Sequence, residues 1–363
     1  MSWIYLTSGL FLGWSLGAND AANLFGTAVA TRMLKFRTAA LVGSVFVVLG
    51  AFAGAHGTSR TLGRLGAIDA PAGAFMVALA AALAVVLLLT RTGLPVSITQ
   101  AIVGAILGWN LFTGRPTDAK TLTQLLSSWL ISPLLAGAIA AGLFVLTRSW
   151  LQRRRVHLLE VDAWTRAALL LAGAFGAFGL GLNDIANVMG VFVRVSPFPE
   201  TTRLGPFSAT NVEALFLLGG LAIATGICTY SNRVMVRLGS GLASLSPLAA
   251  LLVVLSAAIV LFLFGSPALQ RLLAACRLPG WPLVPVSATQ AVVGAILGIS
   301  LARRTGIRLR PLGEIAAGWV AAPVAALTIA LVGLFVAQNV FELPVSATPR
   351  PTAAAKAVAG SRS

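Results

Sequence analysis

Charge is what this sequence has least of. Of its 363 residues only 10% are Asp, Glu, Lys or Arg, where an ordinary water-soluble domain carries roughly 25%. With 58% of residues apolar and a mean hydropathy of +0.91, that shortage excludes a soluble helical bundle, because too few polar side chains exist to coat such a globule. Cysteine is nearly missing as well. Cys228 and Cys276 lie in or beside apolar runs without CxxC or Cys/His spacing, which excludes a disulfide framework and a zinc site and leaves them as packing residues. Histidine is equally scarce, and His56 and His157 stand alone, as loop or helix-end residues rather than a proton relay. The start of the chain lacks the basic segment of a signal peptide, so residues up to about Ala18 read as the first membrane segment.

Negative charge is the scarcer sign: 26 Lys and Arg oppose 10 Asp and Glu, for a net charge of +16 and a pI near 11.7. The placement of the cations argues against nucleic acid as a partner, since they sit in short clusters between apolar runs. Those runs fall at about 3–26, 38–56, 72–89, 94–112, 124–147, 166–193, 209–230, 243–264, 283–301 and 314–337, many near the ~20 residues that span a bilayer. The expected fold is all-α: a polytopic membrane protein of about ten membrane-embedded segments, multi-pass in a plasma membrane of the bacterial inner-membrane type. Arg148, Arg153, Arg154 and Arg155 share one side with Arg303, Arg304, Arg308 and Arg310 and with Arg32, Lys35 and Arg37 if every run crosses once. Basic loops stay in the cytoplasm, which makes that side cytoplasmic.

The chain is written twice. Gly17-Ala18-Asn19-Asp20-Ala21-Ala22-Asn23 returns as Gly181-Leu182-Asn183-Asp184-Ile185-Ala186-Asn187, and Pro95-Val96-Ser97-Ile98-Thr99-Gln100 returns as Pro285-Val286-Ser287-Ala288-Thr289-Gln290, with the following eight residues almost unchanged. Trp129 and Pro133 are answered by Trp319 and Pro323, and Arg60 and Arg64 by Arg233 and Arg237. Repeats in the same order imply duplication. An odd number of segments per half, about five, turns the second copy upside down, which is the inverted-repeat plan of secondary transporters. The expected divisions are a first transport repeat over 1–150, a basic cytoplasmic linker over 151–165, a second, inverted repeat over 166–343 and a disordered tail over 344–363.

Asp20 and Asp184 are the carboxylates most clearly inside apolar segments. A buried carboxylate needs a cation, a proton or hydrogen-bond donors to offset its desolvation, and neither motif has a Lys or Arg close by. That makes Asp20 and Asp184, with Asn23 and Asn187 one helical turn away, candidates for a coupling ion, Na⁺ or H⁺; protonated or helix-capping aspartates are the structural alternative. The second motif reads as a broken or hairpin element. Pro95 and, in the second half, Pro279, Pro282 and Pro285 disfavour continuous helix but suit a helix start. Ser97, Thr99 and Gln100, with Ser287, Thr289 and Gln290, then surround the free N–H groups of a new first turn, where an anion can be held without a full positive charge. Asn19 and Asn183 add amide donors to that anion site. A Pro-kinked helix whose hydroxyls bond its own carbonyls is the alternative here.

At these residues the sequence resembles the inorganic phosphate transporter family, the sodium- or proton-coupled phosphate permeases. That family carries duplicated Gly-Ala-Asn-Asp-x-Ala-Asn and Pro-Val-Ser-Thr-Thr-His motifs, and the resemblance runs from Gly17 to about Gln338. It implies an inverted-repeat bundle with two re-entrant hairpins, an anion held by hairpin Ser and Thr residues, and coupling ions at the Asn-Asp motifs. Asn19, Asp20 and Asn23 match the first motif; Asn183, Asp184 and Asn187 match its copy despite Leu182. The hairpin motif departs in both copies alike: its first Thr is Ile98 and Ala288, and its His is Gln100 and Gln290. Matched changes point to a retuned site, with sulfate as the alternative anion. The expected function is symport of inorganic phosphate with Na⁺ or H⁺, Na⁺ slightly favoured, by a protein that is not an enzyme and needs no cofactor beyond the coupling ion. Its partners are the anion and the lipid bilayer, with room for a homodimer. An intramembrane aspartyl protease needs no doubled Asn or Pro-Val-Ser elements, and a passive channel needs no buried coupling site.

Overall fold

The computed structural model describes residues 3–54, 59–92, 96–154, 158–204, 207–238, 245–278, 282–304, 306 and 309–347. Pro95, Pro279, His56, His157, Arg155, Arg308 and most of the expected tail lie outside the described residues. Among the described residues thirteen α-helices follow one another: α1 Thr7–Ala30, α2 Phe36–Ala53, α3 Ser59–Leu65, α4 Pro71–Thr92, α5 Ile98–Thr113, α6 Ala119–Arg154, α7 Leu158–Met189, α8 Asn211–Thr229, α9 Ser231–Leu238, α10 Pro247–Gly265, α11 Pro267–Ala275, α12 Ala288–Arg303 and α13 Leu309–Asn339. Between α7 and α8 lies a small antiparallel hairpin, β1 Thr201–Leu204 and β2 Phe207–Thr210. Thr210 ends it and opens α8 through a reciprocal capping box with Glu213, which satisfies free donors at the helix start.

Among the described residues, each apolar run of the sequence is centred on one long or short α-helix. Seven of them, α2, α4, α6, α7, α8, α10 and α13, are long and apolar enough to cross a membrane. The 16 residues of α5 and of α12 rise about 24 Å, short of a ~30 Å hydrocarbon core, so there are fewer full crossings than apolar runs. Burial sorts the long helices: 72% of the apolar window of α7 is inside the bundle, against 22% for α6 and 28% for α13. The outer helices turn Leu130, Leu134, Leu146, Val320, Val324 and Phe335 outward, the side chains a lipid-facing surface requires.

The two halves match helix for helix, α1–α6 against α7–α10, α12 and α13, with α11 as an insertion in the second. They are interwoven rather than side by side. Glycines set the contacts: a Cβ at Gly17 would lie 1.9 Å from the carbonyl oxygen of Ile223, and one at Gly13 3.3 Å from that of Gly219, so α1 and α8 run in the same direction at close range. Gly50 and Gly54 meet Phe178 and Leu182 in the same way, which aligns α2 with α7. A five-residue turn reverses the chain between α1 and α2; α7, parallel to α2, is therefore antiparallel to α1, and the repeats are inverted. The same rule joins the outer layer, because Gly104 abuts Pro323, Gly294 abuts Pro133 and Gly298 abuts Gly137, each through backbone. Small residues allow this approach.

Leu343 to Ala347 fold back against the first half. Trp109 Nε1 donates to the carbonyl oxygen of Val345 at 3.0 Å, and the Arg115–Asp69 salt bridge of 2.6 Å also engages Ser346. The first residues of the segment expected as a tail are thus tied down, and the chain beyond Ala347 lies outside the described residues.

Candidate functional site

Each Asn-Asp motif sits in the middle of a buried helix, Asn19, Asp20 and Asn23 on α1 and Asn183, Asp184 and Asn187 on α7, with none more than 5% exposed. Helical periodicity puts the Asp and the second Asn on one face. Asn23 Nδ2 donates to Asp20 Oδ1 at 3.0 Å, and Asn187 Nδ2 to Asp184 Oδ1 at 2.7 Å. The first Asn of each motif donates to the same oxygen, at 2.8 Å from Asn19 and 3.1 Å from Asn183.

Those first asparagines also bind the second motif of their own repeat through its backbone. Asn19 Nδ2 donates to the Val96 carbonyl oxygen at 2.8 Å and its Oδ1 accepts from Val96 N–H at 3.3 Å; Asn183 does the same to Val286 at 2.9 and 3.3 Å. A primary amide thus pairs with an extended residue as a neighbouring strand would, which satisfies backbone groups that have no helical partner at this depth. One residue on, Ser97 and Ser287 are the N-caps of α5 and α12, each accepting from the N–H of Gln100 or Gln290 at 3.3 Å. Pro282 and Pro285 lie in the non-helical chain ahead of the second cap.

The threonines cross between repeats. Thr289 Oγ1 accepts from Asn23 Nδ2 at 3.2 Å and lies 3.5 Å from Asp20 Oδ1. Thr99 Oγ1 accepts from Asn187 Nδ2 at 2.9 Å and lies 3.4 Å from both Asp184 Oδ1 and the Val286 carbonyl oxygen. All twelve residues singled out in the sequence are buried; eight of them form the two clusters directly, Ser97 and Ser287 cap the N–H groups of Gln100 and Gln290 beside them, and the Thr99–Val286 contact bridges the two repeats within the Asp184 cluster. Several buried oxygens at the junction have no hydrogen-bond partner: Asn23 Oδ1, Asn187 Oδ1, Asp184 Oδ2, Gln100 Oε1 and Gln290 Oε1. All are acceptors, so what they lack is a proton, a donor or a cation. A cavity of about 30 Å³ beside Asn23 and Thr289 has room for roughly one water.

The description of a known group of proteins matches this sequence over residues 16–162, 152–330 and 273–359. The chain belongs to the phosphate transporter family. Phosphate transporters are membrane carriers, so the protein is a multi-pass transporter and not an enzyme. Among its relatives, a protein of Methanocaldococcus jannaschii described as a phosphate permease is 28% identical over 90% of this chain and 95% of its own length. A sodium-dependent phosphate transporter of Plasmodium falciparum is 33% identical over 43% of this chain and 25% of its own. The solved structure of a sodium-dependent phosphate transporter has the same fold, with a TM-score of 0.70 and 22% identity over 92% of this chain and 98% of that one.

Two features of the site were not foreseen in the sequence. The valines of the Pro-Val-Ser motifs act through their peptide groups, and the only trace of this is that Val96 and Val286 repeat along with their polar neighbours. Trp129 and Trp319, which the repeat did flag, each bury an indole N–H without a partner. The contacts Gly294–Pro133 and Gly104–Pro323 place them, one helical turn back, level with Gln290 and Gln100 of the other repeat.

Proposed function

We propose that this protein is a phosphate permease that couples the movement of inorganic phosphate to Na⁺, the two Asn-Asp clusters binding the cations and the starts of α5 and α12 binding the anion. The observation that carries this reading is the meeting of the clusters across the repeats, with unpartnered acceptor oxygens at the junction. Carboxylate and amide oxygens are hard ligands that suit Na⁺; the same oxygens accept protons, which makes H⁺ the alternative driving ion. On the anion side, the first N–H groups of α5 and α12 have no intrahelical acceptor, and the positive ends of both helix dipoles favour negative charge. The hydroxyls of Ser97, Thr99, Ser287 and Thr289 and the amides of Gln100 and Gln290 complete a shell without a cation. Such a shell binds an oxyanion firmly enough to select it and loosely enough to release it. The names of the relatives support phosphate as the cargo.

The test is uptake of labelled phosphate into proteoliposomes under an imposed inward gradient of Na⁺, then of H⁺, at fixed membrane potential. Accumulation above equilibrium is expected with Na⁺, and unlabelled sulfate should compete weakly. Accumulation with H⁺ alone would replace the coupling ion. Sulfate uptake with phosphate ignored would replace the anion, and equilibration without accumulation would make the protein a channel.

A further inference from the structure

A cleft of about 690 Å³ lies on one face of the bundle, lined by residues that adjoin the site in sequence. Leu182 and Val284 are among its lining residues; the first precedes Asn183, and the second lies two residues before Val286, the peptide that Asn183 holds. Its walls carry Arg64 from α3 and Arg271 from α11, both exposed, and neither forms a salt bridge among the described residues. Asp118, whose carboxylate accepts from the Thr121 hydroxyl at 2.6 Å and the Lys120 N–H at 3.0 Å, is held below its usual titration range by these bonds and by Arg64, and offsets part of the Arg64 charge without an ion pair of its own.

The cleft is a feature of one face alone in its chemistry. Arg271 belongs to α11, which has no counterpart in the first repeat. Gln124, on the cleft wall, is related to Glu314 by the spacing that relates Trp129 to Trp319, and Glu314 pairs with Arg310 at 3.1 Å. On this side, then, the cleft carries the uncharged Gln124 where the related position of the second repeat carries a carboxylate. Direction follows from the helices: α2 starts beside Lys35 and Arg37 and ends at Ala53 on the cleft, while α12 runs from the site toward Arg303 and Arg304. The cleft therefore opens on the face opposite the basic clusters, the external one if those clusters are cytoplasmic.

We propose that Arg64 and Arg271 form a peripheral oxyanion site that captures inorganic phosphate at the external mouth before it enters the uncharged site below. The proposal rests on the transport reading for its purpose, though not for its chemistry. Two cations in a cleft with apolar walls raise the local concentration of an anion by focusing their field. The deeper site, with no Lys or Arg, gains an on-rate it cannot generate itself, and the cations stay outside the buried region where an ion pair would hold the anion back.

Two measurements test this. In uptake assays, Arg64→Gln with Arg271→Gln should raise the KM for phosphate by about three- to tenfold at low ionic strength, with maximal rate unchanged and the difference shrinking as salt is added; Arg64→Lys with Arg271→Lys should restore the KM. Independently of transport, Ala268→Cys in a background of Cys228→Ser and Cys276→Ser places a thiol on the cleft wall. It should react faster with an anionic than with a cationic methanethiosulfonate, free phosphate should slow it, and the arginine substitutions should abolish both effects. Protection by phosphate without any uptake would sink the transport reading and keep the anion site. An unchanged KM and salt dependence, or labelling that responds to anionic lipid in the vesicles but not to free phosphate, would overturn the proposal, the latter because it would make the arginines a lipid headgroup contact.

Discussion

Asp184→Asn separates the charge of this carboxylate from its place in the hydrogen-bond network. Asp184 Oδ1 accepts from Asn183, Asn187 and Thr99 at 3.1, 2.7 and 3.4 Å. An amide carbonyl at the same position accepts the same three bonds, so the cluster keeps its shape. Oδ2, which has no partner, becomes an NH₂ group. Burying that donor unpaired costs about 1–3 kcal/mol, and removing a buried charge that needs compensation offsets it. Stability should therefore stay within about 2 kcal/mol of the parent, a shift of only a few degrees in the apparent melting temperature in detergent. Cation binding should change far more. A unit charge about 4 Å from the ion contributes about 4 kcal/mol at an effective dielectric of 20, so its loss weakens the site by nearly a thousandfold. Labelled phosphate uptake against Na⁺ concentration should show the half-saturating Na⁺ moved beyond the accessible range and accumulation lost, with the protein folded. Accumulation at the parent level with the same Na⁺ dependence would refute the argument, and a collapse in stability would make the carboxylate structural.

Thr99→Val removes the hydroxyl that accepts from Asn187 and faces Asp184; uptake should fall about five- to 150-fold, from about 1–3 kcal/mol of lost pairing, while Thr99→Ser restores most of it. Asn19→Leu strands both peptide groups of Val96 and removes one donor to Asp20, and should lower thermal stability by about 2–5 kcal/mol as well as abolish uptake. Gly294→Ala drives a Cβ to 2.1 Å from the Pro133 carbonyl oxygen, a backbone contact that cannot swing aside, and should cost about 1–3 kcal/mol or more. Gly142→Ala, in a helix and with nothing within 4 Å, should instead stabilise by about 0.5–1 kcal/mol, measured in the same melting experiment.

How far the sequence could be read depended on what repeated. Membrane class followed from the shortage of charge, and inversion from the duplicated motifs; each apolar run became a helix because lipid leaves helices as the backbone's way to satisfy itself. The polar residues of the site were legible because Asp, Asn, Thr and Gln at this depth need partners, and those partners proved to be one another. The crossing pattern was not legible. That Thr289 serves Asp20 and Thr99 serves Asp184 depends on tertiary contacts made by Gly13, Gly17, Gly50 and Gly104, and a glycine's neighbour cannot be deduced from its own position. The cleft was equally hidden, because α11 lies where the repeat has no second copy to compare. Peptide groups such as those of Val96 and Val286 carry no signature at all, since every residue but proline has them.

Crossing has a mechanical consequence. Each Asn-Asp cluster takes one partner from its own repeat, Val96 or Val286, and one from the other, Thr289 or Thr99. A motion of one repeat against the other must then break or re-form bonds in both clusters together, since residues 96–99 and 286–289 each supply one partner to either cluster. Emptying one cluster should accordingly weaken cation binding at its twin, although no carboxylate there has been touched. Asp20→Asn supplies the test, with Na⁺ dissociation measured at the remaining Asp184 cluster by equilibrium binding of labelled Na⁺. A loss of affinity there beyond the simple halving of sites is expected. An Asp184 cluster that binds as before in the Asp20→Asn protein would show two independent sites, and the bonds across the repeats would then be packing alone.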